Sequence, residues 1–531
     1  MIWRKMLALA AVGCLALAIA PTALAQQSGG VLKFFHRDSP ASMSILEEAT
    51  ISTVGPMMAV FNNLVLFNQH EKQNRPEFIE PELALSWSWN EDCTRLSFKL
   101  RQGVKWHDGQ KFTSADVKCT WDMLSGKSAN KLRLNPRKAW YRNLDDVTTD
   151  GDYAVTFALK RPQPAFISLL AGGMAPVYPC HVPPAQMRLH PIGTGPFKFV
   201  EFKANEHIKV AKNPDYWKPG RPYLDGIEWT VVPHRATQSL AFIAGQFDVT
   251  FPYEVTIQMV HDINSQAPTA ICEIDPTMIS FNLMVNRDNP PFNDPDLRQA
   301  MQLTLDRKAF LDITSEGKGQ IGATMQSPPA GLWGLPPEIL QTLPGYGPDI
   351  AANRAAARKL MEKHGYGPDK RLEVKVATRN IAQYRDPAVI LIDQLKQIYI
   401  DGELDVVETA NWFPKIARKD FMIAGNLTGS GVDDPDAYFF EHYACGSERN
   451  YTNYCNPEIE KMYEQQSIEP DQEKRKKLVW EIDKKLTEDA ARPIVWRYDL
   501  ATCWYPRVHG ITTMVNSIFN GWRLEEAWLD K

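Results

Sequence analysis

Hydrophobic and polar residues alternate in the stretch "RLSFKLR", which places Leu96, Phe98 and Leu100 on one side of an extended chain. A period of two is typical of a β-strand with one buried face. The stretch that follows, "FTSADVKCTWDML", predicts a helix, because Thr113 can cap its start and Asp116 stands at the capping-box position. This part of the chain therefore predicts a strand followed by a helix.

Later helix starts are marked by a capping residue followed by proline, which fits the first turn of a helix. The pattern occurs at Asp294-Pro295, Asp386-Pro387 and Asn456-Pro457. Beyond Pro470 an apolar stripe with helical spacing stands opposite a strongly charged face. Its members are Leu478, Val479, Ile482 and Leu486.

One unit indicates the fold class. Residues 373–378 and 404–409 are β-like and flank a helix-like segment at 387–398. A strand, helix and strand in this order predict parallel pairing through a right-handed crossover, hence an α/β arrangement. Joints rich in proline and glycine at 190–196 and 288–295 are candidate boundaries between lobes. A third such segment, at 328–348, predicts a long loop, and long loops often serve binding.

The N-terminus has the three parts of a secretory signal. Arg4 and Lys5 precede a short apolar run, and small residues precede Gln26, which predicts cleavage after Ala25 and export to the periplasm. The run is shorter than the about 20 residues that span a bilayer. A lipid anchor at Cys14 is the alternative, and it is disfavoured because alanine stands where such signals carry leucine.

Length and charge narrow the classes of partner. A chain of 531 residues exceeds one domain, so two or three lobes are expected. Basic residues number 59 and acidic residues 63, with no polybasic block. Nucleic acids and anionic membrane surfaces demand concentrated lysine and arginine, so neither is an expected partner.

The cysteines indicate a disulfide and no metal. The chain has eight cysteines without a C-x-x-C pair or a zinc-like cluster, so we expect no metal. Cys445 and Cys455 bound a polar loop and are the predicted disulfide in an oxidising compartment. The sequence leaves open how the others pair, namely Cys93, Cys119, Cys180, Cys272 and Cys503.

Catalytic patterns do not emerge. The chain has no G-x-S-x-G, no H-E-x-x-H and no phosphate-binding loop of the usual spacing. Ser128 and Lys131 match S-x-x-K without the other elements of that enzyme class. The stretch "KWHDG" places His107 beside an Asp-Gly turn signal, and we interpret this histidine as a surface or capping residue. We therefore predict a non-enzyme without a cofactor.

Four ordered segments resemble the family 5 extracellular solute-binding proteins, the receptors of dipeptide, oligopeptide and nickel ABC importers. The first contains "LRQGVKWHDG" before "FTSADV"; the second contains "GTGPF", "NPDYW" and "GRPYLDGI". The third is "NRDNPPFNDPDLRQAMQLTLDR" and the fourth is "AARKLMEKHGYGP". These segments lie at 83–117, 192–250, 281–311 and 356–368.

The resemblance implies a three-lobed α/β fold with mixed sheets and a hinge cleft, as in type II-like (cluster C) periplasmic binding proteins. The expected boundaries are lobe I at 28–75, 194–288 and 505–531, lobe II at 76–193 and lobe III at 289–504. The solute would lie between lobes I and III, and closure around it would create the surface that a permease recognises.

The resemblance also indicates ligand residues. Peptide-binding members hold the ligand's ammonium with an aspartate shortly before a D-P-D segment, and that position aligns here with Gly431, or with Asp433 after a one-residue shift. This departure puts a standard peptide ligand in question. Trp412 is the expected cleft wall. Arg37 or Arg497 could bind an anionic group through two hydrogen bonds. The remaining candidates are Asp38, Trp333, Asp434, Trp496 and Tyr498.

These observations predict a monomeric periplasmic receptor that delivers a peptide, or a peptide-sized polar solute, to an ABC permease in the inner membrane. Two alternatives stay open at this point. One is a secreted hydrolase, which the missing catalytic set disfavours. The other is a relative that acts as a chaperone or chemosensory receptor.

Overall fold

The computed structural model describes residues 26–530, so the predicted signal segment and its cleavage site lie outside the described residues. The described strands are β1 (Val31–His36), β2 (Val65–Phe67), β3 (Ile79–Pro81), β4 (Ala84–Trp89), β5 (Arg95–Leu100), β6 (Leu144–Thr149), β7 (Ala154–Leu159), β8 (Phe197–Lys203), β9 (His207–Lys212), β10 (Gly226–Val231), β11 (Ile271–Val285), β12 (Leu372–Arg379), β13 (Ile400–Val407), β14 (Ile423–Thr428), β15 (Ile494–Trp504), β16 (Val508–His509) and β17 (Trp528–Leu529).

The helices within residues 26–530 are α1 (Ile51–Met58), α2 (Ser114–Leu124), α3 (Phe166–Ala171), α4 (Pro184–Met187), α5 (Arg235–Ile243), α6 (Ile257–Gln266), α7 (Pro295–Leu303), α8 (Arg307–Ser315), α9 (Pro337–Leu340), α10 (Ile350–Lys363), α11 (Ala382–Lys396), α12 (Thr409–Ala417), α13 (Pro435–His442), α14 (Pro457–Ile468) and α15 (Gln472–Glu488). Over these residues no helix has the length and apolar character needed to cross a membrane.

Three sheets of four or five strands organise residues 26–530, beside two two-stranded sheets, β2-β3 and β16-β17. The first has the order β1-β10-β9-β8, and the second, β4-β5-β7-β6, is antiparallel throughout. The third has the order β13-β12-β14-β11-β15 and mixes parallel with antiparallel pairs. This is the mixed α/β architecture that the sequence predicts.

The third sheet contains the predicted strand-helix-strand unit. β12 and β13 pair in parallel over their full length, and α11 connects them. β11 pairs with β14 on one side and with β15 on the other, although the predicted lobe I contains its residues. Bridges from Val249 to Phe34 and to Trp504 join the first and third sheets. The lobe boundaries themselves stay predictions.

Helix starts follow the sequence in most places. Thr113 and Asp116 form the capping box of α2, and Asp294 and Asn456 cap α7 and α14 through their side chains. The charged helix predicted beyond Pro470 is α15, and its residues Val479, Ile482 and Leu486 are buried.

α11 differs from its prediction because it begins at Ala382, more than a turn before Pro387. Proline within a helix has no N–H for the carbonyl four residues earlier, which here belongs to Gln383. The hydroxyl of Tyr498 donates to that carbonyl over 3.0 Å instead. A tertiary contact therefore replaces the missing helical hydrogen bond, and the helix continues through the proline.

Three disulfides are present among the described residues. Cys445 bonds to Cys455, which confirms the predicted pair. Cys119 bonds to Cys180, and Cys272 on β11 bonds to Cys503 on β15. Cys93 is the free cysteine of the described residues.

The "KWHDG" stretch is a turn, as predicted. Gly109 N–H donates to the carbonyl of Trp106, whose indole is buried. His107 is half-buried, and its Nε2 lies 3.0 Å from the carbonyl of Gly195. Burial lowers the pKa of His107 to about 4, so its ring is neutral at pH 7. The prediction of a surface or capping residue is therefore wrong, because the His107 ring is half-buried and joins this turn to the segment before β8.

Candidate functional site

A small cavity lies where the first sheet faces the third, and we call it the arginine cavity. Its volume is about 30 Å³, room for a few water molecules. Charged and aromatic side chains meet apolar ones around it, and its lining includes Arg37, Thr50, Ile279, Tyr384, Phe413, Leu427, Arg449 and Phe519. The surrounding segments come from both sheets.

Asp38, directly after β1, ties the two sheets together beside this cavity. It forms a buried ion pair with Arg379 at the end of β12, and its carboxylate accepts from the hydroxyls of Thr409 and Ser52 over 2.5 Å each. Burial alone would raise the pKa of Asp38, but the charges of Arg379 and Arg37 outweigh burial and hold the pKa below its ordinary value. The carboxylate is therefore ionised, and both of its oxygens accept hydrogen bonds within the protein.

Arg37 is only 6% exposed, yet its hydrogen bonds are weak. Its Nη1 lies 3.3 Å from Gln383 Oε1 and 3.4 Å from Glu254 Oε2. Its Nε has no hydrogen-bond partner among the described residues. Burial raises the pKa of Glu254, the carboxyl group that faces this arginine.

Arg449, 4% exposed, enters the cavity from the loop between Cys445 and Cys455. Its Nη1 pairs with Glu441, and over residues 26–530 its Nε also lacks a hydrogen-bond partner. No sequence pattern marks this arginine, because a short polar loop gives no sign of the direction in which its side chains point.

A second, larger cavity of about 380 Å³ lies nearby, and we call it the junction cavity. Residues 67–77, 164–168 and 332–333 meet there with 432–434 and 469–475. Trp333, Asp433 and Asp434, all predicted ligand residues, line it. Its volume falls in the range of small-molecule sites, roughly 300–1,000 Å³.

Asp433 and Asp434 differ in how they are satisfied. Asp433 is 7% exposed, its Oδ2 accepts from Asn516 over 3.4 Å, and its Oδ1 is unpartnered within the described part of the chain. Burial raises the pKa of Asp433 to about 7. Asp434 accepts two hydrogen bonds from Arg475, at 2.7 and 2.8 Å, and caps α13. Asp433 therefore has one carboxylate oxygen that can accept a further hydrogen bond, whereas both oxygens of Asp434 already accept hydrogen bonds from Arg475.

Segment 427–434 contributes to both cavities, since Leu427 and Gly429 line the arginine cavity and residues 432–434 line the junction cavity. The hydroxyl of Ser517 donates to the carbonyl of Gly431 over 3.2 Å, and the Asn520 amide donates to the same carbonyl over 3.2 Å. A Cβ at Gly431 would lie 3.1 Å from the Trp140 ring, so a larger side chain requires a shift there. The choice between Gly431 and Asp433 as the ammonium position stays a prediction.

The remaining predicted site residues lie in the interior, and none of them lines either cavity. Trp412 is fully buried and donates to Asn426. Trp496 stacks on Phe310, Tyr498 bonds to α11, and Arg497 donates to the carbonyls of Ala323 and Thr324. The contribution of these side chains to solute binding stays a prediction.

Phe413 is the neighbour of Trp412, the residue that we expected to form the cleft wall. It follows Trp412 in α12, and consecutive helical residues point about 100° apart. Trp412 therefore enters the core of the third sheet while Phe413 faces the arginine cavity. The resemblance singled out this segment for Trp412, and the periodicity alone does not say which of the two aromatic rings faces the arginine cavity.

A possible metal cluster lies elsewhere. Ligand atoms of Asp294, Asp296 and His364 approach within 4.8 Å of one another. Lys363 places its Nζ 2.7 Å from Asp296, so a cation of the protein already neutralises this carboxylate. The cluster joins α7 to the end of α10, and we interpret it as structural.

Comparison with known proteins decides the family. The model for "Bacterial extracellular solute-binding proteins, family 5 Middle" matches residues 79–450. The chain belongs to this family. The match covers both predicted boundary joints and most of the third sheet, so the expected class is confirmed.

Similar proteins span nearly the whole chain. A probable di/tripeptide-binding protein 5 of Pseudomonas aeruginosa (strain UCBPP-PA14) is 24% identical over 511 residues, covering 89% of this chain and 91% of that protein. The oligopeptide-binding protein AppA of Bacillus subtilis (strain 168) is 27% identical over 455 residues, covering 82% and 80%.

Solved structures share the fold of this family 5 protein. Helicobacter pylori DppA in complex with the peptide STSA gives a TM-score of 0.83 at 20% identity, covering 95% of this chain and 99% of that one. AgaA of A. tumefaciens R10 with agropinic acid gives 0.80 at 22% identity, covering 94% and 99%. The periplasmic binding protein fold is therefore established.

Proposed function

We propose that this chain is the periplasmic solute receptor of an ABC importer, and that it binds a peptide or a peptide-sized polar solute. The arrangement of polar side chains from two sheets around one cavity carries the proposal. Export would follow from the N-terminal signal, and the bound form would deliver its solute to the inner-membrane permease. We expect the receptor to act as a monomer and without catalysis.

In this proposal the arginine cavity is the solute site in its closed form. A volume of about 30 Å³ is too small for a peptide-sized molecule, so the Asp38–Arg379 ion pair must separate for the solute to enter. Phe413, Tyr384 and Phe519 would supply apolar contact, while hydrogen-bonding groups fix orientation. The solute would favour a state that is wider than this solute-free form but in which both sheets still contact it.

Asp433 is the proposed partner of a solute ammonium group, with Trp333 as a neighbouring wall. An ammonium group would give the unpartnered Oδ1 a charge-assisted hydrogen bond. It would also favour the ionised form of a carboxyl whose pKa burial raises. Because segment 427–434 contributes residues to both cavities, one elongated solute could contact both.

Thermal denaturation of the mature protein with a library of peptides, amino acid conjugates, sugars and nickel chelates tests the proposal. A solute that binds the folded state raises the midpoint by mass action. Phe519→Ala should reduce that shift, and Leu240→Ala, on the exposed face of α5, is the control. A library without any binder contradicts receptor function, and peptide hydrolysis that a single substitution abolishes contradicts the non-catalytic assignment.

A further inference from the structure

Another small cavity lies at the start of β15, and we call it the Arg492 cavity. Its volume is about 10 Å³, room for a single water molecule or a monatomic ion. The polar side chains in its lining include those of Gln302, Thr324, Tyr443 and Arg492. It shares no lining residue with the arginine cavity or the junction cavity, so it is a separate place in the described chain.

Arg492 is a buried cation without a counter-charge. It is only 4% exposed, and it forms no ion pair with a carboxylate of residues 26–530. Its Nε donates to Asn282 over 2.8 Å and its Nη2 donates to Thr428, but its Nη1 has no partner in the described chain. The ring of Tyr451, 5.8 Å away, offers only a weak cation–π contact. A buried charge of this kind is costly unless something neutralises it.

The charged groups around Arg492 do not compensate it. Burial lowers the pKa of Arg492, and the positive charge of Arg449 lowers this pKa further. Glu441 pairs with Arg449. Asp483 accepts two backbone N–H groups, and the charge that acts on it is that of Arg497. Each of these carboxyl groups therefore already has an arginine of its own.

The other unpartnered groups beside the cavity can donate hydrogen bonds. The hydroxyl of Tyr443, which is 1% exposed, lines the cavity and has no partner among the described residues. The hydroxyl of Tyr438 and both ring nitrogens of His442 also lack a partner there. The Tyr438 ring lies 4.8 Å from the His442 ring and 6.4 Å from the Tyr443 ring. Burial lowers the pKa of His442 well below its ordinary value, so this ring is neutral and adds no charge.

We propose that the Arg492 cavity binds a monatomic anion such as chloride, held by Nη1 of Arg492 and the hydroxyl of Tyr443. A water molecule could accept the same hydrogen bonds, but it would leave the charge of Arg492 uncompensated. Carboxylates and phosphate exceed the volume of the cavity. The site goes beyond the proposed receptor function, because the transported solute takes no part in it.

The bound anion would stabilise two strands behind the arginine cavity. Arg492 joins Asn282 on β11 to Thr428 on β14. Thr428 lies between Leu427 and Gly429, which both line the arginine cavity. An anion on Nη1 would fix the guanidinium group that makes these two bonds.

The test measures thermal midpoints after each protein is unfolded and refolded in sodium chloride, with sodium gluconate keeping the ionic strength constant. Gluconate is too large for the cavity and serves as the inert anion. The midpoint of wild type should rise by about 2–4 °C between 1 and 100 mM chloride, since an ion bound to the folded state stabilises it by mass action. Arg492→Met should abolish this rise, and Tyr443→Phe should reduce it.

A control separates the site from a general effect of salt. Tyr141→Phe removes the hydroxyl of another buried tyrosine, which does not line this cavity, and the rise should be unchanged. Because Arg492→Met also loses the bonds to Asn282 and Thr428, Tyr443→Phe decides the question if the methionine variant does not fold. A wild-type midpoint that ignores chloride, or an equal rise in wild type and Tyr443→Phe, overturns the inference.

Crystals of the protein refolded in sodium bromide locate the ion directly, because bromide scatters anomalously. We expect an anomalous peak between Nη1 of Arg492 and the hydroxyl of Tyr443. A water molecule without anomalous signal at that position overturns the inference and leaves the proposed receptor function untouched.

Discussion

Asp433 illustrates how one carboxyl group can link stability to pH. Its pKa is about 7 in the folded chain, because burial disfavours the charge, and near 4 in an unfolded chain. Between these pH values the folded state binds more protons than the unfolded state. The free energy of unfolding therefore falls as pH rises from about 4 to about 7.

Asp433→Asn should remove this dependence. The variant should be more stable than wild type at pH 8, by at most about 4 kcal/mol, and nearly equal to it at pH 4. Urea unfolding of both proteins at pH 4 and at pH 8 measures this difference in the free energy of unfolding. Glu403→Gln, at an exposed position on β13, is the control. Equal stability of wild type and Asp433→Asn at pH 8 would contradict the burial argument.

The buried ion pair of Asp38 with Arg379 should also contribute to the stability of the folded chain. Removing one partner of a buried pair leaves the other charge unpaired, and this typically costs about 3–5 kcal/mol. We expect Arg379→Gln to lower the free energy of unfolding by that amount. Arg371→Gln, which breaks the half-exposed pair with Asp401, should cost about 0–1 kcal/mol. Similar losses in both variants would show that burial does not strengthen the first pair.

At the scale of elements, α11 depends on a contact with β15. Tyr498→Phe leaves the carbonyl of Gln383 without its donor, so a loss of about 1–3 kcal/mol is expected. In a Pro387→Ala background the restored backbone N–H can bond to that carbonyl, and the same substitution should cost less. A double-mutant cycle of unfolding free energies measures this coupling. Strictly additive changes in the free energy of unfolding would contradict the explanation that the Tyr498 contact lets α11 begin before Pro387.

The disulfides differ in the loops they close. Cys272–Cys503 spans 231 residues and Cys445–Cys455 spans 10. Chain-entropy arguments give about 5 kcal/mol for the first and about 3 kcal/mol for the second. Replacing each pair with alanines should therefore lower the thermal midpoint more for Cys272–Cys503. The reverse order would contradict an entropic origin.

These elements also show what the sequence could and could not predict. Capping residues and the strand-helix-strand unit are local patterns, so α2, α7, α14 and the β12–β13 pairing were predictable. Cys445 and Cys455 are ten positions apart and were predictable too. The Cys272–Cys503 pair follows from strand register across the whole chain, where these residues stand opposite each other. No local pattern carries that register.

The proposed solute site was less accessible to sequence reasoning. The family resemblance of the chain indicated the segments around Arg37, Trp412 and Asp433. Of these three residues, Arg37 and Asp433 line cavities. Arg449 and Phe519 were missed, since each lies in a loop whose direction depends on distant contacts. Patterns along the chain predict which elements form, but the residues that meet between sheets depend on tertiary packing.

At the scale of the whole molecule, the contacts beside the arginine cavity should set the balance between open and closed forms. Asp38→Asn keeps the shape of this side chain but removes its charge, so the bond to Arg379 weakens. We expect the solute-free variant to have a larger radius of gyration by small-angle X-ray scattering. Asp312→Asn, on the half-exposed face of α8, is the control. An unchanged radius would show that other contacts hold the sheets together.

The long loops closed by disulfides bear on when the protein becomes stable. In a reducing compartment the thiols of Cys272 and Cys503 stay unpaired, and the chain lacks about 5 kcal/mol of stabilisation. If the N-terminal segment directs export as proposed, the precursor would pass through the membrane in this less stable condition. Oxidation in the periplasm would then form the disulfide and stabilise the folded chain. This bond would therefore form only after export.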